Sequence, residues 1–333
     1  MKLCVISGDG VGQEVVPAAV AVLQRLLPDL QLAPAEAGWD CFQRRGNALP
    51  DDTKAAIREC GAAIFGAVSS PSRKVDGYRS PIVQMRREFD LYANLRPTLG
   101  LGTANVPNVP IDLLIVRENT QGLYIQREYM RDDEAVAERV ITAAASERIG
   151  SIAFEMAAQR GKRLTIVHKA NILPLTDGLF RDSVRRVGAD FPDVQISEML
   201  VDTAAMNLAG NPAQFDVIVT TNLFGDILSD VAAVWGGGMG VAPALNIGAE
   251  VAIAEPVHGS APDIAGKGIA NPAGALLAAA LLMRHHWKLE VLATKLERAV
   301  YAAISGDART PDLGGTATTQ NVIDAVLRNL DAA

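Results

Sequence analysis

The stretch VIVTTNLFGDILSDVAAV, residues 217–234, reads as two elements in succession. Val217–Thr221 is a short, β-branched apolar run, the composition of a buried strand, and Asp226–Val234 has a helical pattern. The same alternation extends outward in both directions. Strand-like runs at Lys2–Ser7, Ala62–Ala67, Asp112–Val116 and Leu164–Val167 are interleaved with helical patterns at Val15–Leu27, Ala135–Arg160, Leu175–Val187, Pro272–Met283 and Leu292–Ile304. Strands alternating with helices predict an α/β protein with much parallel sheet. A length of 333 residues suggests about two domains. Gly100–Pro110 and residues 236–248, rich in Gly, Pro and Asn, read as linkers. They cut the chain into three pieces. The outer two, 1–98 and 251–333, are expected to fold together as a large domain around a smaller one at 99–250.

Composition narrows the function. Basic residues number 31 against 38 acidic ones, a net charge of −7, which speaks against a nucleic-acid binder. Cys4, Cys41 and Cys60 are sparse and show no CxxC spacing, so a reducing cytoplasm is expected, with no disulfide framework and no zinc ribbon. Residues 231–249 carry no charge but contain five glycines, Pro243 and Asn246, which is loop chemistry and not a membrane span. The apolar run 274–283 is too short to span and reads as a buried helix. The first residues, MKLCVISGDG, do not have the form of a signal peptide.

Asp226 and Asp230 lie four residues apart and share one helix face. Like charges at that spacing destabilise a helix unless a cation or a cationic partner lies between them. Hard divalent ions such as Mg²⁺ and Mn²⁺ take oxygen ligands of this kind. Asp202, at the end of an apolar run, is a third candidate. The alternatives are plain solvent exposure for the pair and a helix cap for Asp202. Arg86, Arg96 and Arg117, in MRREFD, NLRP and IVREN, are candidate carboxylate forks, whereas Arg87 reads as surface. Tyr124 in QGLYIQ and Lys169 in HKAN, with Asn171 two residues on, offer an acid and a base whose pKa values fall beside a cation. His168 has an equal claim to Lys169, and Tyr124 reads equally as a half-buried structural tyrosine. The loop HGSAPDIAGKGIANP, residues 258–272, lets a ligand approach the backbone closely, or is a surface loop. Its Asp263 suits a ribose diol and repels a 2′-phosphate, which favours NAD over NADP. Gly8-Asp9-Gly10-Val11-Gly12 follows a strand, but Gln13 spoils the dinucleotide fingerprint, and a tight strand-to-helix turn explains the glycines as well.

Together and in this order, these segments resemble the β-decarboxylating dehydrogenase family of isocitrate, 3-isopropylmalate and homoisocitrate dehydrogenases. The resemblance runs from GDGVGQEVVP to RTPDLGGTATT, nearly the whole chain, and TTNLFGDILSD and HGSAPDIAGKGIANP carry most of it. It implies an α/β, isopropylmalate-dehydrogenase-like doubly wound sheet in two domains, and not the usual Rossmann fold. It implies that Asp202, Asp226 and Asp230 ligate Mg²⁺ or Mn²⁺, with Asp202 supplied across a homodimer. Arg86, Arg96 and Arg117 would hold the malate part of a small polycarboxylate. Tyr124 and Lys169 would form the proton-transfer pair, Lys169 again from across the dimer, with Asn171 near the nicotinamide. Gly259, Ser260, Ala261, Pro262, Asp263 and Asn271 would form the adenosine side of the NAD site.

The segment GAVSSPSRKVDGYRSPIVQMRREFDLYANLRP, residues 66–97, is similar to the pattern of the homoisocitrate branch. Ser70 would then contact substrate, and Val83 stands where some relatives carry a substrate-facing arginine. The implied reaction is NAD-dependent oxidative decarboxylation of homoisocitrate to 2-oxoadipate, a step of lysine synthesis by the aminoadipate route. The alternatives are 3-isopropylmalate or isocitrate as substrate, and, in another class, a non-catalytic regulatory subunit.

Overall fold

The computed structural model describes every residue except Lys74, Ala104, Asn105, Asn108 and Ala333. β1 (Lys2–Gly8) ends in a glycine turn that opens α1 (Gly12–Leu26). β2 (Gln31–Pro34), α2 (Trp39–Arg45), α3 (Asp51–Cys60), β3 (Ala62–Ala67), α4 (Pro81–Glu88), β4 (Ala93–Leu99) and β5 (Asp112–Glu118) follow. A hairpin of β6 (Glu128–Arg131) and β7 (Glu134–Ala137) precedes α5 (Ala143–Ala158). Next come β8 (Arg163–His168), α6 (Thr176–Val187), β9 (Gln195–Leu200), α7 (Val201–Gly210), β10 (Val217–Thr220) and α8 (Asn222–Ala233). The chain ends through β11 (Pro243–Ile247), β12 (Ala252–Pro256), α9 (Ala273–His285), α10 (Glu290–Ser305) and α11 (Thr319–Ala332).

All strands but the hairpin join one 10-stranded sheet, ordered β2-β1-β3-β12-β11-β4-β5-β10-β8-β9. β2, β1, β3 and β12 form one parallel block, and β5, β10, β8 and β9 another. Between them β11 and β4 run antiparallel to each other and to both of their outer neighbours. The expected α/β class with much parallel sheet therefore stands, and the order is not that of the usual Rossmann sheet. β11, from inside residues 99–250, pairs with strands from 1–98 and 251–333, so the sheet is continuous across the expected domain boundary.

Expectation and structure differ in two places. Helix was predicted from Ala135, but residues 128–137 form the hairpin, which turns at Asp132 (φ +54°). The helix waits for Thr142, whose side chain accepts from Ala145 N and caps it at 3.3 Å. The second predicted linker, 236–248, contains β11, because PALNI is buried between two strands and Asn246 finds partners for its amide. Of the first linker, Ala104, Asn105 and Asn108 lie outside the described residues, and the rest carries no helix or strand. The apolar helix α9 is buried at every position from Ala273 to Met283, as its composition predicts. Among the described residues no helix is long and apolar enough to cross a membrane.

Candidate active site

Arg96 projects from β4, Arg117 from the end of β5 and Arg86 from α4; their exposures are 7%, 1% and 7%. Guanidinium groups are rarely buried without fixed partners, so what each one touches is informative. Arg117 donates from Nε and Nη2 to Asn222 Oδ1 at 3.2 and 2.7 Å, and from Nη1 to Asp226 Oδ1 at 2.5 Å. Its guanidinium lies 5.2 Å from the centre of the Tyr124 ring. Arg96 reaches Asp226 Oδ1 at 3.2 Å, Ser229 Oγ at 2.7 Å and Asp230 Oδ1 at 3.8 Å. Arg86 is the exception. It has Glu255 Oε1 at 3.6 Å, and its buried Nε has no partner. Burial, reinforced by the charge of Arg117, pushes the Arg86 guanidinium down to about 10.

Successive turns of α8 supply the carboxylates. Asn222 opens the helix, Asp226 follows and Asp230 comes a turn later, so the helix starts four residues earlier than its composition suggested. Tyr124 Oη donates to Asp226 Oδ2 at 2.5 Å. Burial raises the Asp226 carboxyl, but Arg117, the Tyr124 bond, Arg96 and Arg86 outweigh it and hold the group below its ordinary value. Asp230 is raised, by burial and by the Asp226 charge. Burial and the bond to Asp226 raise the Tyr124 phenol. Gly225 lets this cluster close: a Cβ there would lie 2.6 Å from Arg117 Cγ and 2.7 Å from its Cβ.

A cavity of about 300 Å³ opens over these groups, with Ser70, Val83, Arg86, Arg96, Tyr124 and Asp226 in its wall. Ser70, Arg86, Arg96, Tyr124 and Asp226 were candidates from the sequence, and Arg117 and Asp230 adjoin them. Lys169, Asn171 and Asp202 are not in that wall. Lys169 Nζ pairs with Asp202 Oδ1, and the bond lowers the exposed Asp202 carboxyl. Asp202 sits in the first turn of α7 and does not cap it. Asn171 is exposed beside them. Among the described residues, no three His, Cys, Asp or Glu side chains of the single chain converge as metal ligands.

The 258–272 loop packs on the glycine turn after β1. Val11 N donates to Ser260 O at 2.9 Å, and a Cβ on Gly10 (φ +56°) would lie 2.1 Å from the same oxygen. The turn glycines thus serve close backbone packing. Ser260 is buried and its Oγ meets Ser69 Oγ at 2.9 Å. Asn271 Oδ1 accepts from Ala273 N at 3.0 Å. Gly259, Ala261 and Asn271 border a second cavity of about 430 Å³, while Pro262 and Asp263 are exposed. Gly259 and His258 belong to the walls of both cavities, so the two spaces adjoin. Burial pushes the His258 imidazole down, and its buried Nε2 has no partner.

Arg87 is exposed, as its surface reading has it, and also donates to the Tyr124 carbonyl at 2.7 Å. Several other contributors carry no mark in the sequence reading. Asp177, fully buried and paired with Arg139, accepts from Lys169 N at 2.7 Å. Glu255, Asn94, Asn222 and Asn246 are buried polar residues around the arginines. The signal for them was a polar letter inside an apolar run, as in NLRP and ALNIG.

The family model described as isocitrate/isopropylmalate dehydrogenase matches residues 2–326. An isocitrate/homoisocitrate dehydrogenase of Thermus thermophilus is 50% identical over 332 residues, which cover 99% of this chain and 98% of that one. A homoisocitrate dehydrogenase of Methanocaldococcus jannaschii is 46% identical over 341 residues, covering 98% of this chain and 97% of that one. A crystal structure of isocitrate dehydrogenase from Methylococcus capsulatus superposes with a TM-score of 0.93 at 39% identity, covering 99% of both chains. The chain belongs to the isocitrate/isopropylmalate dehydrogenase family, whose members are β-decarboxylating dehydrogenases.

Proposed function

We propose that the protein oxidises and decarboxylates homoisocitrate to 2-oxoadipate with NAD⁺ and a divalent metal, in the cytoplasm and as a homodimer. The observation that carries this reading is Arg86: a buried guanidinium, its Nε unpartnered, beside two further buried arginines at a cavity. A polycarboxylate supplies the missing acceptors, and arginine forks suit carboxylates. Ser70 and the motif around it, in a segment similar to the homoisocitrate branch, support the long substrate. Val83 and Ile82 in the wall favour a second reading, 3-isopropylmalate, because they offer an apolar side-group contact.

Asp226 and Asp230 present carboxylate oxygens one turn apart, the donor type that Mg²⁺ and Mn²⁺ take. Their own chain brings no third carboxylate of the expected set, so we assign that place to Asp202 of a second copy. Exposed apolar side chains close in the chain to the site residues support this: Ile172 and Leu175 follow Lys169, Met206 lies a turn after Asp202 on α7, and Ile227 follows Asp226, at 66%, 84%, 66% and 53% exposure. We assign the large domain to 1–98 and 251–333 and the dimer-forming one to 99–250. Free Cys4, Cys41 and Cys60 fit a reducing compartment.

In this reading the three arginines orient the acid, and correct orientation alone removes many kcal/mol of barrier. Lys169 of the second copy takes the hydroxyl proton, directly or through one water. Tyr124 Oη, at the cavity wall and donating to Asp226 Oδ2, would deliver its proton to the carbon that loses CO₂. Asp226 and Asp230, with Asp202 of the second copy, would hold the metal, which when bound would supply Lewis-acid polarisation of the substrate oxygen. The second cavity would take the adenosine side of NAD⁺ against Gly259, Ala261 and Asn271, with Ser260 and Pro262 in the same loop; Asp263 would repel a 2′-phosphate, and Asn171 of the second copy would lie near the nicotinamide. The test is a panel of homoisocitrate, 3-isopropylmalate and isocitrate with NAD⁺ and Mg²⁺ or Mn²⁺. The highest kcat/KM is expected for homoisocitrate, and no NAD⁺ reduction with any of the three would refute the assignment.

A further inference from the structure

We propose that Asn246 is a positioning residue that sets the spacing of Arg86 and Arg96 from within the sheet. The inference rests on the carboxylate-binding role given above to those arginines. Asn246 is 2% exposed in the middle of β11, with Asn94 of β4 on one side and Ile253 of β12 on the other. Its Oδ1 accepts from Asn94 Nδ2 at 2.7 Å and from Asn119 Nδ2 at 2.9 Å. Its Nδ2 donates to Glu255 Oε1 at 2.9 Å and to Ile253 O at 3.3 Å. Every hydrogen-bonding capacity of the amide is used.

The two ends of the chain force the direction of each bond. Arg96 Nε can only donate, and it donates to Asn94 Oδ1 at 2.8 Å, which turns Asn94 Nδ2 toward Asn246. Glu255, as a carboxylate, can only accept, which draws Asn246 Nδ2 toward it. Asn119 Nδ2 also donates to Leu91 O at 3.0 Å, so its amide cannot flip. The result is a relay Arg96–Asn94–Asn246–Glu255, ending at Arg86 Nη2, 3.6 Å from Glu255 Oε1. Asn246 is one residue removed from each arginine. Its place on a strand hydrogen-bonded on both sides makes the spacing rigid. Arg86 Nε remains for a ligand, while Arg96, in the wall of the same cavity, has its Nη1 already held by Asp226 Oδ1 and Ser229 Oγ. A buried polar network of this kind fixes one geometry when every member is satisfied and loses it when one is removed.

The test uses Asn246→Leu and Asn246→Ser in the full-length protein. Asn246→Leu removes both roles of the amide, and the apparent KM for the acid is expected to rise roughly tenfold, the scale of one buried partner lost. The KM for NAD⁺ should stay within about twofold, because no member of the relay borders the adenosine-side cavity. Asn246→Ser keeps a hydroxyl that can accept and donate, and it is expected to recover part of the loss. Should Asn246→Leu not fold, Asn94→Ala breaks the same relay from the Arg96 side with the same expected split. Direct binding of malate, measured by calorimetry, separates this inference from the functional one. Weaker malate binding by the variants supports the relay even if no acid is turned over by the wild type. Wild-type malate affinity in folded Asn246→Leu or Asn94→Ala, or an equal rise in both KM values, overturns it.

Discussion

Replacing Gly225 by alanine isolates the role of a residue that touches no substrate. The glycine lies inside α8, so alanine suits the backbone and adds about 0.8–1.0 kcal/mol of helix propensity. Space opposes it. The new Cβ would stand 2.6, 2.7 and 3.1 Å from Cγ, Cβ and Cδ of Arg117. Carbon atoms settle at about 3.5–4.0 Å, so the arginine stem must retreat by about 1 Å. Arg117 is 1% exposed and is held by two bonds to Asn222 and one to Asp226, so it cannot retreat and keep all three. Overpacking of this kind costs about 1–3 kcal/mol, which the helix propensity partly offsets, so the melting temperature should change little. Activity should change much more. A 1 Å misplacement of an orienting group costs about a hundredfold, or roughly 2.7 kcal/mol of barrier at 1.36 kcal/mol per decade. The assay is steady-state kcat/KM for homoisocitrate at saturating NAD⁺ and Mg²⁺, beside thermal unfolding of the same preparation. A folded Gly225→Ala enzyme with kcat/KM within threefold of wild type would show that the Arg117 stem is not positioned as argued.

The proposal that two copies share each site predicts a complementation result. Asp226→Asn and Lys169→Met should each lose at least about a hundredfold in kcat. Mixed, unfolded and refolded together, they should recover about a quarter of wild-type activity, because half of random dimers carry one intact site of two. Recovery near zero would place both residues in one subunit's site. Activity should fall to background in excess EDTA and return with Mg²⁺ or Mn²⁺; full activity in the chelator would remove the metal from the reaction. His285 gives a pH prediction away from the site. Burial, with the charges of Arg284 and Lys288, pushes its imidazole from 6.5 to about 4. The unfolded chain therefore takes up this proton first as pH falls. The stabilisation is complete above pH 6.5 and is lost as pH drops toward about 4. Thermal unfolding of His285→Gln across that window should show a shallower acid loss than wild type, and parallel curves would refute the assignment.

What was legible in the sequence follows from how many residues each feature spans. The alternation behind β5, β8 and β10 is carried by runs that are buried apart from the first residue of β5 and of β8, so composition alone marks them. β4 and β11 escaped because their letters argue against strand. Pro97 stands in β4, yet the β11 ladder reaches only from Ala93 to Leu95, so no hydrogen bond is lost to it on that side. Asn246 stands in β11 with its amide consumed by four partners. In both cases the strand exists because of neighbours distant in sequence. The early end of the predicted helix at Ala135 has a local cause, since one threonine cap at Thr142 outweighs an alanine-rich stretch.

The candidate site divides in the same way. Charged residues could be nominated singly, because an aspartate pair on one helix face or an arginine at a strand end has few uses. Their relations could not. That Arg117 is clamped by Asn222 and packed on Gly225, whereas Arg86 has an unpartnered Nε, emerges only when β5, α4 and α8 are placed together. The pairing of Lys169 with Asp202 is a sharper case. Within one chain the two neutralise each other at the surface, which reads as an ordinary exposed ion pair of little energetic value. Ile172 and Leu175 follow Lys169 in the chain, Met206 lies a turn after Asp202 on α7, and all three are exposed, the apolar set that the proposed second copy would cover. If a second copy covers that set, the environment of Lys169 changes from solvent to a closed pocket, where a lysine can act as a base. Catalytic competence in this fold is then a property of association, and dilution below the dimer's dissociation constant should abolish turnover while leaving each chain's sheet intact.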